Sequence, residues 1–178
     1  RLYHRRFPEP LGFGFASSRF SDPQSTLSTS GRFGVIYFGK SLKVCFAEAI
    51  LRERGVGGGP VFPIELKELQ EINSADIEVV DPLRLVDLCK DAMLRMRIPI
   101  DAARAASHDL GQAWSRAIWL HEEMPDGIIY ESRLNGETNI AVFDRGLSKI
   151  RVRFVTPLLD RRAEMAQIIT DFDLSIVA

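Results

Sequence analysis

The sequence predicts a single mixed α+β domain spanning residues 1–178. The chain has 178 residues, enough for one well-filled core and too few for two comfortable domains. Apolar runs typical of strands occur in both halves of the chain, and stretches of helical periodicity lie between them. No internal repeat or low-complexity linker divides the sequence. We therefore expect a sheet drawn from both halves of the chain and packed against helices.

Strands are predicted where short runs rich in β-branched or aromatic residues lie between turn-forming residues. The segment RLYHRRF predicts a short opening strand, and a loop rich in Gly, Ser, Phe and Arg follows it. Pro63 is expected to interrupt one of the later strands. The predicted strands cover residues 1–7, 35–39, 60–69, 72–82, 126–132, 138–144 and 149–158.

Helical periodicity predicts four helices, over residues 42–54, 82–96, 102–123 and 160–172. The first of them has the clearest ends. Ser41 stands where an N-cap belongs, and Gly55 is predicted to close the helix at its C′ position. The glycine-rich segment 55–60 lacks the Lys-Ser/Thr pair of a phosphate-binding loop, so we interpret it as a helix cap and turn.

Composition and charge exclude several classes of function. The net charge is −1, which gives no reason to expect direct binding to nucleic acid or to a membrane surface. No apolar run approaches the length of a membrane span, and the start of the chain does not resemble a secretory signal. The chain begins with Arg1 and not with Met, so we interpret it as trimmed. These features predict a cytoplasmic protein.

The cysteines and histidines do not suggest a disulfide or a metal centre. Cys45 and Cys89 each lie in apolar surroundings and are expected to be buried thiols. The three histidines show no spacing typical of metal ligands, so no metal site is predicted.

Glu48 is the residue that stands out in the helix predicted over 42–54. Apart from Lys43, it is the only polar residue between positions 42 and 51. The five-residue separation puts Lys43 and Glu48 roughly 140° apart around the helix, so Lys43 cannot neutralise Glu48 across a shared face. A carboxylate in apolar surroundings must be paired, hydrogen-bonded or functional. The alternative to a catalytic role is an ion pair with Arg52, four residues later.

Aromatic and basic residues before this helix are weaker candidates. Tyr37 lies in the predicted strand shortly before this helix, where it could either fill the core or stack on a planar ligand. Arg19 and Arg32 each precede a phenylalanine in a loop, in SSRFSDP and SGRFG. Such arginines are often merely solvated, but the guanidinium fork also suits bidentate binding of phosphate.

Three polar residues after the strand DGIIYE form a second candidate group, because loops that follow strands often hold binding groups. They are Ser132, Arg133 and Asn135.

Taken together and in order, these segments resemble the RES family, whose members are bacterial toxins paired with Xre-type antitoxins. The most specific part is VIYFGKSLKVCFAEAILRERG, in which Tyr37 precedes Glu48 by eleven positions, as in the family. SSRFSDP resembles the arginine motif of the family and indicates Arg19. The segment QSTLSTSG departs from the family as an apparent insertion, and GRFG makes Arg32 a competitor for the same role. DGIIYESRLNGETNIAVFD resembles the serine segment and indicates Ser132.

The resemblance implies a fold related to ADP-ribosyltransferases, with a central split, antiparallel-rich sheet flanked by helices. It implies NAD⁺ as co-substrate and cleavage of the nicotinamide–ribose bond, without a metal. Glu48 would stabilise the positive charge that develops on the ribose, as carboxylates do in glycoside cleavage. Arg19 or Arg32 would bind the pyrophosphate, Tyr37 would pack against nicotinamide, and Ser132 would hydrogen-bond to the cofactor or fix its neighbours.

Three outcomes remain open at this stage. The enzyme could pass ADP-ribose to water or phosphate as an NAD glycohydrolase or phosphorylase. It could instead be an ADP-ribosyltransferase that modifies a protein such as phosphoribosyl pyrophosphate synthetase, with acceptor contacts expected in QSTLSTSG. A third alternative is a non-catalytic interaction module. The resemblance also implies that an Xre-type antitoxin blocks the NAD⁺ cleft.

Overall fold

The computed structural model describes residues 1–52, 54 and 62–178. Within these residues the chain forms nine strands and six α-helices. The strands are β1 (Leu2–His4), β2 (Val35–Gly39), β3 (Phe62–Glu65), β4 (Ile72–Val79), β5 (Leu85–Leu88), β6 (Gly127–Glu131), β7 (Thr138–Phe143), β8 (Ile150–Pro157) and β9 (Leu174–Val177). The helices are α1 (Leu42–Phe46), α2 (Leu66–Gln70), α3 (Asp91–Arg95), α4 (Asp101–Arg104), α5 (Asp109–Trp119) and α6 (Arg162–Asp171).

The strands form three separate sheets. The largest has the order β2-β7-β6-β5, with β5 parallel to β6 and the other pairs antiparallel. A second, antiparallel sheet has the order β1-β4-β8, and β3 pairs in parallel with β9. Helices flank these sheets, so the prediction of a mixed α+β fold with a split, mostly antiparallel sheet is confirmed.

Two apolar cores hold the sheets and helices together. The first packs the four-stranded sheet against α3, α4 and α5 and contains Phe20, Phe33, Tyr130 and Phe143. The second lies between α1, α2, α6 and the small parallel sheet. Its members include Phe46, Leu69 and Leu158, all fully buried.

The first helix begins as the sequence predicts. The Ser41 hydroxyl accepts a hydrogen bond from the amide of Val44 at 3.1 Å, which confirms the predicted N-cap. Gly39 allows this helix to approach β2, because a Cβ there would lie 2.4 Å from the Val44 side chain and 2.7 Å from the Cys45 sulfur. After α1 the helix continues as a π-helical stretch over Ala47–Leu51. The predicted caps and turn at residues 55–60 lie outside the described residues.

Several predicted elements are wrong in type or length. Residues 82–96 were expected to be one helix, but β5 occupies the first half and only Asp91–Arg95 is helical. Lys90 marks the change, with a φ of 44° that no helix continues through. In residues 60–69 the strand ends at Glu65 and α2 follows.

Two further differences concern helix ends. The predicted helix over 102–123 is divided into α4 and α5 by residues 105–108, and this break is important for the site described below. The last strand, β9, follows the predicted terminal helix and was not expected.

Cys45 and Cys89 are free thiols, Cys45 buried and Cys89 only half-buried. Among the described residues, no helix has the length and apolar character needed to cross a bilayer.

Candidate active site

A cavity of about 340 Å³ opens beside the edge of the four-stranded sheet where β2 and the first helix meet. Its volume lies within the range of small-molecule sites, about 300–1,000 Å³. Cys45, Glu48, Ala49 and Arg52 line one wall, and their spacing of three or four residues puts them on a single helix face. The opposite walls come from β2, from β6 and β7, and from the loop before residue 20. The remaining lining residues are Arg1, Leu2, Phe13, Gly14, Ala16, Ser18, Arg19, Val35, Ile36, Tyr37, Phe38, Gly39, Ala103, Tyr130, Arg133 and Asn139.

The Glu48 carboxylate is held at this wall by two side chains from distant parts of the chain. Ser132 Oγ donates a hydrogen bond to Glu48 Oε1 at 2.7 Å, and Asn139 Nδ2 donates to the same oxygen at 3.1 Å. Ser132 and Asn139 are both buried, with 3% and 4% of their surface exposed, whereas Glu48 is only half-buried. The arrangement fixes one carboxylate oxygen and lets the carboxylate face the cavity.

Arg19 contributes a buried positive charge to the same cavity. Its surface is only 6% exposed, and its Nη1 atom is buried without a hydrogen-bond partner among the described residues. A buried guanidinium N–H without an acceptor is costly, so a ligand that brings an acceptor there would be stabilised. Burial lowers the pKa of Arg19, as do the nearby charges of Arg133 and Arg52, while Glu48 acts in the opposite direction.

The loop that carries Arg19 is held in place by hydrogen bonds from three neighbouring side chains. The Tyr37 hydroxyl accepts from the amide of Phe20 at 2.9 Å and bonds to Ser18 Oγ at 2.9 Å. Ser115 Oγ donates to the carbonyl of Phe20 at 2.6 Å, and Gln112 Nε2 donates to the carbonyl of Ser18 at 2.9 Å. None of these hydrogen bonds involves the Arg19 side chain, so they position Arg19 through the loop that carries it.

Asp22 provides a further anchor for this loop. Its buried carboxylate accepts hydrogen bonds from the amides of Gln24 and Phe33, at 2.9 and 3.2 Å. Arg116 forms an ion pair with it at 3.2 Å. Asp22 of SSRFSDP is therefore a structural anchor for the loop that carries Arg19.

Gly111 allows α5 to lie against the Arg19 loop. A Cβ at position 111 would stand 2.6 Å from the carbonyl oxygen of Arg19 and 2.8 Å from that of Ala102. Both atoms belong to the backbone, so neither can move aside cheaply.

The charges around the cavity favour an anionic ligand. Among the described lining residues, four are arginines and one, Glu48, is a carboxylate. Guanidinium groups bind phosphate oxygens in bidentate fashion. Tyr37 and Tyr130 add aromatic surface, and burial raises the pKa of both phenols, so both stay neutral at physiological pH.

Comparison with known proteins shows the family of this chain. The model of the RES domain family matches residues 1–163. The chain belongs to the RES family. It is 62% identical over 127 residues to the probable toxin y4kH of Sinorhizobium fredii, a match that covers 71% of this chain and 100% of that protein.

The fold of this RES protein is also similar to that of a solved structure. The match is to a chain of the Mycobacterium tuberculosis MbcT–MbcA toxin–antitoxin complex, with a TM-score of 0.66 and 17% sequence identity. It covers 92% of this chain and 87% of that chain.

The structure brings together most of the residues that the sequence singled out in this RES domain. Arg19, Tyr37, Glu48 and Arg133 line the cavity, and Ser132 lies behind Glu48 as its hydrogen-bond donor. The alternative for Glu48, an ion pair with Arg52, does not form. Arg52 instead bonds to His108.

Arg32 and Asn135 do not reach the cavity. Arg32 donates to the backbone carbonyls of Phe15 and Asp22 and stacks over the Phe15 ring, 5.2 Å from its centroid. Asn135 bonds to Glu137 within its own turn. The segment QSTLSTSG, where acceptor contacts were expected, is also absent from the described lining.

Sequence reasoning missed three residues of the site. Asn139 carries a weak signal, because asparagine is uncommon inside a strand and this one points to the same face as Tyr130, its neighbour across the sheet. Arg52 was treated only as a partner for Glu48. His108 gave no signal, because the helix break that places it near Arg52 could not be recognised from periodicity.

The described residues contain no group of three or more His, Cys, Asp or Glu side chains arranged to hold a metal ion.

Proposed function

We propose that this RES protein is a toxin of a toxin–antitoxin system that cleaves the bond between nicotinamide and ribose in NAD⁺. The proposal rests on one arrangement: a carboxylate fixed by two hydrogen-bond donors at the wall of a cavity rich in arginine. Two facts support the toxin assignment. The relative from Sinorhizobium fredii is named a probable toxin, and the similar fold comes from a toxin–antitoxin complex.

The reaction that we propose leaves positive charge on the ribose as nicotinamide departs. Glu48 would stabilise that charge through the electrostatic attraction of its carboxylate, which faces the cavity. Because Ser132 and Asn139 hold Oε1 before substrate arrives, no reorganisation of the carboxylate is needed at the moment of reaction.

The remaining lining residues fit the other parts of a dinucleotide. Arg19 would bind the diphosphate through the Nη1 atom that has no partner among the described residues. The Tyr37 hydroxyl already bonds to the Arg19 loop, so its contribution to nicotinamide would be its ring surface.

A protein partner follows from the same comparisons. We propose that an antitoxin, of Xre type as the family resemblance implies, inhibits the enzyme by covering this cavity. Expression of the toxin with and without that partner, followed by measurement of cellular NAD⁺, tests this point. Loss of NAD⁺ that the partner does not prevent would contradict it.

The direct test is incubation of the purified protein with NAD⁺ and measurement of free nicotinamide. Mass spectrometry of the other product, with and without phosphate, identifies the acceptor. Free ADP-ribose indicates a glycohydrolase, a phosphorylated ribose product indicates a phosphorylase, and mass added to lysate proteins indicates a transferase. If no nicotinamide is released under any of these conditions, the proposed chemistry is wrong and the non-catalytic alternative is favoured.

A further inference from the structure

Arg52 lines the cavity from the same helix face as Glu48, one turn further along the chain. Its Nη2 atom lies 2.9 Å from Nε2 of His108, which belongs to the break between α4 and α5. The two residues are 56 positions apart, so only the folded chain brings them together.

This contact determines the protonation state and the tautomer of His108. A guanidinium group can only donate hydrogen bonds, so His108 Nε2 must be the acceptor. An imidazole nitrogen accepts only when it carries no proton. The contact therefore requires neutral His108 with its proton on Nδ1, and protonation would replace attraction with repulsion between two cations.

The surroundings of His108 favour that neutral state. Desolvation lowers its pKa most, and the positive charges of Arg52, Arg19 and Arg133 lower it further. Asp109, the next residue in the chain, acts in the opposite direction. The hydrogen bond to Arg52 and the surrounding positive charges thus both favour neutral His108.

We propose that Arg52 is a second diphosphate-binding side chain of the cavity, and that His108 is the positioning residue that holds it there. This inference rests on the proposed NAD⁺ site and adds a second binding group to it. A diphosphate carries two negative charges on adjacent phosphates, and one guanidinium fork cannot satisfy the oxygens of both. Arg19 approaches from the loop and Arg52 from the helix, so the two line different walls of one cavity.

Protonation of His108 then weakens binding of the diphosphate, because Arg52 loses the acceptor that fixes its position. The affinity for a diphosphate ligand is highest while His108 is neutral, and it falls as the pH drops through the lowered pKa of His108.

The experiment measures binding of ADP-ribose, which carries the diphosphate, and of adenosine, which does not. Titration calorimetry from pH 8 to pH 5 compares the wild type with Arg52→Gln, His108→Gln and His108→Leu, each checked for folding by circular dichroism. Glutamine at position 108 keeps an acceptor for Arg52 and cannot titrate, whereas leucine removes the acceptor.

At pH 8, we expect Arg52→Gln to weaken ADP-ribose binding by about tenfold to a hundredfold, the range for hydrogen bonds to charged groups, and to leave adenosine binding unchanged. His108→Leu should weaken ADP-ribose in the same direction. His108→Gln should retain the affinity of the wild type at pH 8 and keep it at pH 5, where the wild type loses affinity.

Binding of ADP-ribose by Arg52→Gln within twofold of the wild type would overturn the inference, as would a pH dependence of His108→Gln equal to that of the wild type. A wild type that binds no ADP-ribose would overturn it too. Nicotinamide release separates this inference from the proposed function. A protein that shows these affinity changes but cleaves no NAD⁺ contradicts the function alone, and one that cleaves NAD⁺ with unchanged Arg52→Gln affinity contradicts the inference alone.

Discussion

Ser132 Oγ donates a 2.7 Å hydrogen bond to Glu48 Oε1 across 84 residues of sequence. The bond joins the helix that follows β2 to the loop that follows β6, so the carboxylate is positioned by two parts of the fold at once. Asn139 donates to the same oxygen from β7. Removal of the carboxylate should therefore lower the rate more than removal of either donor alone.

Substitution Glu48→Gln should lower the rate of nicotinamide release by about a hundredfold to a thousandfold. Glutamine keeps the size and most hydrogen bonds of the side chain but removes the negative charge that we propose stabilises the ribose cation. Initial rates with saturating NAD⁺ measure the effect. Glu122→Gln, at an exposed glutamate, is the matched control and should retain full activity. Equal rates in the Glu48→Gln variant and the wild type would refute the catalytic role.

Substitutions Ser132→Ala and Asn139→Ala should each lower kcat by about tenfold, because each removes a hydrogen bond to a charged group. Since both donors act on one oxygen, the double variant should lose less than the product of the two single losses. A double-mutant cycle on kcat measures this coupling. Strictly multiplicative losses would show that the two donors act independently.

Arg19→Ala and Arg32→Ala should affect different properties, the first substrate binding and the second stability. Arg19→Ala should raise KM for NAD⁺ by about tenfold or more, because it removes the buried cation that we propose binds the diphosphate. Arg32→Ala should mainly lower thermal stability, because it removes bonds to the carbonyls of Phe15 and Asp22. KM and the unfolding midpoint, measured on both variants, test the distinction. The opposite pattern would make Arg32 the phosphate-binding residue.

Gly111→Ala should destabilise the protein by about 1–3 kcal/mol, the usual cost of overpacking, because the new Cβ meets two backbone carbonyls. The Arg19 loop should shift with it, so KM should rise as well. Gly31→Ala is the control, since a Cβ there meets its nearest neighbours at 3.7 Å, an ordinary contact. Chemical denaturation measures the first effect, and unchanged stability of Gly111→Ala would contradict the close approach of α5.

The stability of the ligand-free protein should also depend on His108. Its pKa is lowered in the folded state, chiefly by desolvation, so below pH ~6.5 the unfolded chain binds more protons at this residue than the folded chain does. The stabilisation from neutral His108 is present above that pH and is lost as the pH falls through the folded pKa. The unfolding midpoint of the wild type should therefore fall more steeply with acid than that of His108→Gln. His121→Gln is the matched control, and parallel curves for wild type and His108→Gln would contradict the prediction.

Local sequence patterns predicted the parts of the fold that depend on neighbours in sequence. The strand at VIYFG, the Ser41 cap and the helix with Glu48 were all recognisable, because capping and periodicity act within a few residues. The prediction of a single helix over residues 82–96 was wrong because the short apolar run at Leu85–Leu88 forms a strand by pairing with β6, about 40 residues later.

The candidate site likewise combines residues that local sequence patterns indicated with residues that they did not indicate. Tyr37 and Glu48 are close in sequence, and their spacing together with the RES resemblance singled them out. His108 and Asn139 act through contacts across 56 and 91 residues, and no local pattern marks such partners. The break at residues 105–108, which begins where Ala105 is extended, places His108 against Arg52, and helical periodicity did not indicate it.

The position of β7 determines when the candidate site can be completed as the chain is synthesised. β7 lies between β2 and β6 in the sheet although the ribosome makes it after both of them. A nascent chain that ends before Thr138 has no strand to join β2 to β6, and Glu48 still lacks Asn139. The cavity that we propose binds NAD⁺ is therefore complete only after the chain has been made as far as β7, so a shorter nascent chain lacks both a central strand of the sheet and one of the two donors to Glu48.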